Sequence, residues 1–438
     1  MDKELLMLED AVLDRLEGKF VNVLNVDERN ELIMSVAKTL EVDVSREDVQ
    51  KIIDDICDIY PVGELVADDD VEDIMVNNTN NIFVYRASGG SKKFDKRIGS
   101  QEELDRFVRK LKLYSTNEIA NGNILDVHLP NGSRANIVSS PLSYDVTIRN
   151  FKKNPLSILD LVNNKELDYA IAARLWLYVD GLKVRPANLL IGGMPAAGKT
   201  TLLNAMFSFF RPEQRIVTIE ETYELNTSSQ ENCVRLETSS EMPMEELVKN
   251  ALRMRPDMII IGEVRGAEAN DMITAMNIGK ISMGTIHASS TRDIVNRLLH
   301  TPMNVPRDII NVIDALMIVS VVYTGGKPYR VVTQISEISG IETQVLLSDL
   351  YKFDYRTLRG TPILPSITYR DTISRLLGIQ PSDIMAEEKV RTMILEKMNQ
   401  LGKRDMGSIN EMVKAYYDDP DALCAKLGLK GVSSVIKV

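Results

Sequence analysis

LLIGGMPAAGKT, residues 189–200, is the stretch from which the rest of this 438-residue chain is read. Its last eight residues, Gly193-Met194-Pro195-Ala196-Ala197-Gly198-Lys199-Thr200, satisfy the phosphate-loop pattern GxxxxGK[ST]. Residues 189–191 are an apolar run that reads as a strand, and a helical pattern runs from Thr201 to residue 210. In that context the glycines let backbone N–H groups close around phosphate oxygens, and the helix N-terminus adds partial positive charge. Lys199 is expected to reach the β- and γ-phosphates of a bound nucleotide, and the Thr200 hydroxyl to take Mg²⁺. The expected nucleotide-binding residues are Gly193, Pro195, Ala196, Ala197, Gly198, Lys199, Thr200 and Thr201.

Downstream, strand-like runs recur at 216–219, 258–261, 283–286 and 316–322, separated by helical patterns at 244–254 and 270–278. Alternating apolar strands and amphipathic helices predict an α/β domain whose parallel sheet is covered on both faces. Ligands of such sheets bind at the strands' carboxyl ends. Glu263 stands there after Met258-Ile259-Ile260-Ile261-Gly262, placed to orient an attacking water. Glu220, Glu221 and Glu224 follow the 216–219 strand, and His287 ends the 283–286 strand. Arg253, Arg255 and Arg265 bracket the Glu263 strand, equally suited to touching phosphate or pairing with the acidic cluster.

The remainder divides by pattern. Residues 1–62 read as an acidic helical segment, with Ser45 capping a helix closed by Pro61. Residues 63–150 read as an α+β domain: strands at 73–76 and 82–85, a helix opened by Ser100-Gln101-Glu102-Glu103, and strands 124–129 and 134–138 around Asn131-Gly132. Residues 151–163 form the expected linker, with a hinge at Asn150–Asn154, and 164–344 the nucleotide-binding domain, closed by two strands around Gly325-Gly326 that end near Glu337. Residues 345–438 read as a separate, mostly helical extension.

Charge narrows the function classes. Lys and Arg number 52 against 63 Asp and Glu, net −11, and residues 1–76 alone hold 22 acidic and 7 basic residues. That argues against a surface built to coat nucleic acid or anionic lipid, and 5% aromatic residues argue against a stacking platform for single strands. The acidic head is expected either to solubilise the chain or to dock on a basic partner surface. Cys57, Cys233 and Cys424 fit no zinc or disulfide spacing. No apolar run approaches the ~20 residues that span a bilayer, and the N-terminus has no signal-peptide core. A cytoplasmic protein is expected, reaching the membrane only through a partner.

The motifs resemble, in order and wording, those of the hexameric secretion-superfamily ATPases of type II and type IV secretion, type IV pili and the archaellum. The resemblance covers roughly residues 62–338. It rests on the Walker A loop at 193–200, IEETYEL (219–225) as the Asp box, LRMRPDMIIIGEVRG (252–266) as an atypical Walker B, Met276-Asn277, and GTIHA (284–288) as the His box. DVHLPNGSRANIVSSP (126–141) and Thr147-Ile148-Arg149 look like the N-terminal domain of the tight-adherence-pilus branch and its archaeal relatives. The chain departs from the family in three places. Glu221 stands where Asp is usual, Gly279-Lys280-Ile281-Ser282 replaces a run carrying a first histidine, and the four-cysteine zinc module is absent.

The resemblance implies a RecA-like P-loop domain and a homohexamer that uses Mg²⁺ and ATP without zinc. It implies an inner-membrane platform protein of a pilus or secretion system as partner, and no nucleic acid. Glu263 and Glu220 become the catalytic carboxylates, and Arg134, Arg149, Arg253, Arg255, Arg265 and His287 the arginine and sensor candidates. A DNA-translocating conjugation motor and a non-hydrolysing nucleotide-sensing scaffold are the alternatives. Negative charge and few aromatics weigh against the first, and retention of Lys199 and Glu263 against the second.

Overall fold

The computed structural model describes residues 3–16, 26–57, 59, 61–86, 89–114, 123–129, 131–141, 143–151, 155–239, 241–325, 327–429 and 434. The chain divides into two compact units, Met1–Asn154 and Pro155–Val438. Of the expected hinge, residues 152–154 lie outside the described residues, as does Gly326.

The first unit holds an antiparallel sheet of six strands, ordered β3-β2-β1-β6-β5-β4. These are β1 Val71–Asn78, β2 Asn81–Arg86, β3 Gly90–Lys93, β4 Ile124–His128, β5 Arg134–Ser139 and β6 Tyr144–Arg149. The sequence reading omits β3 and β6, although β6 alternates buried Val146 and Ile148 with exposed Asp145, Thr147 and Arg149. The helix Gln101–Lys112 lays Leu104, Phe107, Val108 and Leu111 inward. Ser100 caps it by accepting the Glu103 N–H at 3.2 Å, while the Glu103 carboxylate reaches back to the N–H of Gly99 rather than Ser100.

Before the sheet come helices Lys3–Leu16, Val26–Thr39 and Arg46–Cys57, the last capped by Ser45, whose Oγ accepts the Asp48 N–H at 3.1 Å. Leu8, Val12, Ile52 and Ile56 share one core with Ile74, Phe107 and Val146. The acidic segment 1–62 is therefore part of the α+β body, not a detached head. Some of its acids also pair with the Gln101–Lys112 helix: Asp10 and Asp14 with Arg106 and Arg109, and Glu9 and Asp55 with Lys110.

The second unit is built on a nine-stranded sheet ordered β15-β14-β13-β12-β7-β11-β10-β8-β9. β7 Leu189–Gly192, β8 Ile216–Glu220, β9 Cys233–Glu237, β10 Met258–Val264, β11 Ile281–Ile286 and β12 Ala315–Thr324 run parallel. β13 Lys327–Ile341, β14 Val345–Asp354 and β15 Arg359–Pro362 continue from β12 as an antiparallel meander. Side-chain alternation explains the uninterrupted apolar runs of the central strands. Leu189, Ile191, Met258 and Ile260 enter one core, and Leu190, Ile259 and Ile261 enter the core of the opposite face. Helices Met244–Ala251, Glu268–Asn277 and Thr291–Leu299 cover the latter face.

Two expectations are corrected. β14 and β15 extend the sheet to Pro362, so it does not end near Glu337, and helices Thr368–Leu377, Pro381–Gln400 and Met406–Asp418 join the core of the other face. Residues 345–438 are thus no separate extension. Arg391, which the periodicity places on the apolar side of its helix, is 1% exposed and paired with Asp180 at 2.7 Å and Glu387 at 3.0 Å. Among the described residues, no helix is long and apolar enough to cross a membrane.

Candidate functional site

The phosphate loop joins β7 to the helix Lys199–Met206, whose N-cap is Gly198. Gly198 has φ +97°, a left-handed conformation that excludes most other residues, and a Cβ on Gly193 would meet the Val319 carbonyl oxygen at 2.6 Å. Both glycines are thus required by the loop's own shape. Pro195 and Ala196 are exposed, Ala197 is buried, and Thr200 and Thr201 are half-buried in the helix's first turn.

Lys199 is 7% exposed, and burial pulls its pKa below the ordinary lysine value. Its ammonium lies 3.4 Å from the Met194 carbonyl and 3.4 Å from His287 Nδ1. On the other side of the ring, His287 Nε2 is 2.5 Å from Glu263 Oε1. An ammonium only donates and a carboxylate only accepts, so the neutral imidazole carries its proton on Nε2. Burial and the Lys199 charge hold the His287 pKa below its usual value, consistent with that neutral form. Arg265 then takes Glu263 Oε2 at 2.6 Å and Glu221 Oε2 at 2.8 Å. Lys199, His287, Glu263, Arg265 and Glu221 form one continuous row across the carboxyl ends of β7, β11, β10 and β8.

Glu220 plays a different part in this geometry. It is 2% exposed, and its Oε1 accepts the N–H groups of Glu224 and Leu225 at 2.8 and 2.9 Å, fixing the loop that carries Glu221. Burial raises its pKa to about 7, against the opposing backbone bonds and the more distant Arg235 at 3.8 Å. A Cβ on Gly262 would meet Glu220 Cγ at 3.1 Å, which accounts for glycine at the position where many P-loop enzymes carry Asp.

The arginine candidates separate. Arg265 is in the row. Arg253 and Arg255 are exposed at the amino end of β10, roughly 25 Å of extended strand away from Glu263. They are not part of this chain's own phosphate site. Arg134 and Arg149 face each other across β5 and β6 in the first unit, paired with Asp126 at 2.8 Å and Asp73 at 3.1 Å.

Three contributors escaped the sequence reading. Glu268 Oε1 accepts the Arg265 and Gly266 N–H groups at 2.6 and 2.7 Å, setting the turn that aims Arg265. The Thr285 hydroxyl donates to the Gly262 carbonyl at 2.6 Å, tying β11 to β10 beside Glu263. Arg330 donates to the Ala196 carbonyl. Thr285 lies inside a quoted motif and Glu268 two residues beyond one, so both were there to be weighed; Arg330, from a strand some 130 residues later, carried no local signal.

This combination of phosphate loop, strand-end glutamate and strand-end histidine on a parallel sheet defines a P-loop nucleotide-binding site. The chain matches the family described as Type II/IV secretion system protein over residues 56–323, more than half its length, and belongs to that family. MJ0781 of Methanocaldococcus jannaschii is 38% identical over 226 residues, which are 48% of this chain and 31% of that protein. MJ0900 of the same organism is 29% identical over 377 residues, 82% of this chain and 67% of its own. The conjugal transfer protein TrbB of Rhizobium radiobacter is 31% identical over 244 residues, 53% of this chain and 73% of TrbB. The chain spans about a third of the length of MJ0781.

Proposed function

We propose that this chain is a Mg²⁺-dependent ATPase motor that powers assembly or movement of a type IV pilus-like filament or a type II/IV secretion machine. It works as a homohexamer at the inner face of the cytoplasmic membrane, held there by a platform protein. The observation that carries the reading is the row from Lys199 to Glu263 and Arg265 at the mouth of the phosphate loop. Lys199 binds the β- and γ-phosphates, Glu263 orients water, and Arg265 and His287 hold Glu263 in place until nucleotide arrives. Glu220, with a pKa about 7, is the second carboxylate able to move a proton near neutral pH.

The donor set suits Mg²⁺, a hard ion that prefers oxygen and keeps much of its ligand shell on phosphates and water. Thr200, in the last position of the phosphate-loop pattern, would supply its hydroxyl as the protein ligand. Bound there, the ion would neutralise phosphate charge. We assign further positive charge on the γ-phosphate to another subunit, with Arg134 and Arg149 as candidates.

The test is turnover in two variants. Lys199→Ala loses both ATP binding and hydrolysis, while Glu263→Gln keeps binding and loses roughly 10²-fold or more of kcat. Wild-type turnover in Lys199→Ala would overturn the assignment. The similarity to TrbB, named as a conjugal transfer protein, favours a second reading as a conjugation motor; ATPase activity stimulated severalfold by single-stranded DNA would select it over the filament reading.

A further inference from the structure

Arg330 belongs to none of the motifs, yet it touches the phosphate loop. β12 runs beside β7 as far as Ile318, opposite Gly192, and then continues to Thr324 past the point where β7 turns into the loop. β13 returns alongside it, with Arg330 opposite Val321. A hairpin therefore walls the loop on the side away from β11. Arg330 closes over the loop's outer curve. Its Nε donates to the Ala196 carbonyl at 3.1 Å, and its Cδ lies 3.2 Å from where a Cβ on Gly198 would stand.

That carbonyl belongs to a residue in an unfavourable conformation. Ala196 has φ +59°, in the left-handed region where a Cβ crowds the backbone. The bond from Arg330 fixes the Ala196 carbonyl outward, on the side opposite to the one a phosphate would approach. Nε is the nitrogen used; among the described residues, neither Nη has a hydrogen-bond partner. The strand carrying Arg330 is pinned on both sides of it. The Tyr329 hydroxyl donates to the Lys165 carbonyl at 2.7 Å, and the Val332 N–H to the Glu166 carbonyl at 2.8 Å. A strand held this firmly keeps the Arg330 side chain over the loop, where its bond to the Ala196 carbonyl braces the phosphate loop before nucleotide binds.

We propose that Arg330 is a positioning residue of the nucleotide site. It holds the phosphate loop in its binding conformation through the Ala196 carbonyl. The inference rests on the ATPase reading above and adds to it a brace on the phosphate loop supplied from within the chain, by the antiparallel half of the sheet.

The experiment compares the full-length wild type with Arg330→Ala and Arg330→Lys, measuring the Kd of a fluorescent ATP analogue and the kcat and KM for Mg²⁺-ATP. In Arg330→Ala, Kd and KM rise about tenfold, the effect of one lost charge-assisted hydrogen bond, while kcat changes by less than about threefold. Arg330→Lys recovers at least part of that loss, because an ammonium still donates to the carbonyl. Unchanged Kd and KM in Arg330→Ala would overturn the proposal. So would weakened binding that Lys fails to recover and that accompanies a lowered melting temperature without nucleotide, the mark of lost packing alone. Wild-type protein that binds no ATP would instead overturn the ATPase reading, and this inference with it.

Discussion

The helices that precede residue 58 and those that follow residue 367 are both attached to neighbouring elements by pairs of cations and carboxylates, but in different surroundings. In the first unit Arg109, a third exposed, meets Asp10 and the 72% exposed Asp14; only Lys110 and Glu9 of this set are buried. In the second unit Arg391 meets Asp180 and Glu387 where all three are at most 1% exposed, with the Trp176 ring 4.6 Å from the guanidinium. The hydroxyls of Tyr416 and Tyr417 complete the triad by donating to Glu387 and Asp180. Water screens the exposed pairs of the first set, so each of those is weak and the apolar contacts of the core carry most of the attachment. The second set has no such relief. Its charges are favourable only together, and removing one strands the others in a low dielectric.

The largest test of that contrast is Arg391→Ala, expected to lower the unfolding free energy by about 3–5 kcal/mol and to leave much of the protein insoluble. A loss below about 1 kcal/mol in denaturant unfolding would abolish the distinction. Next comes Glu220, a buried acid with its nearest cation beyond hydrogen-bond contact. Its folded pKa of about 7 exceeds its ordinary value, so the fold favours its protonated form. The associated stability is full below about pH 4.5 and is lost as pH rises through 7, about 3 kcal/mol in all. Glu220→Gln removes this dependence, so the stability difference between variant and wild type grows between pH 5 and 8; a constant difference refutes it.

Lys110→Ala strands Glu9 and is expected to cost about 2 kcal/mol. That is less than Arg391→Ala, because burial already raises the Glu9 pKa and the acid can take up a proton. A loss as large as that of Arg391→Ala would show that partial exposure offers no relief. The smallest effect belongs to Asp14→Asn, at most about 0.5 kcal/mol and vanishing in 0.5 M salt, read from melting temperatures at two ionic strengths.

The same contrast shows what the sequence made legible. Periodicity and a phosphate loop located the parallel strands and Lys199, Thr200 and Glu263, because each of these signals is local. It did not reveal that residues 1–62 and 345–438 belong to larger cores, since an amphipathic helix does not announce which surface it covers. β14 and β15 were missed for a related reason: Val345–Asp354 mixes Ser348, Asp349 and Lys352 with its apolar residues, as a half-exposed strand does. Glu220 was readable as a carboxylate near the site, but its burial and its grip on Glu224 and Leu225 depend on a loop doubling back. Arg253 and Arg255 looked equivalent to Arg265 because a strand between them is silent about which end faces the nucleotide.

One strand has a mechanical consequence. β13 is 15 residues long, bears Arg330 near one end, and at Glu337 receives the hydroxyl of Ser366 and the N–H groups of Ile367 and Thr368, where the helix Thr368–Leu377 begins. From Arg330 to Glu337 is roughly 23 Å of extended chain, stepped once by a bulge against β12 between Val332 and Gln334. Hydrogen-bonded to β12 and β14 on both sides of that step, it behaves as a tie rod. Any tug of about an ångström on the rod's nucleotide end would emerge, little diminished, at the root of the carboxyl-terminal helices.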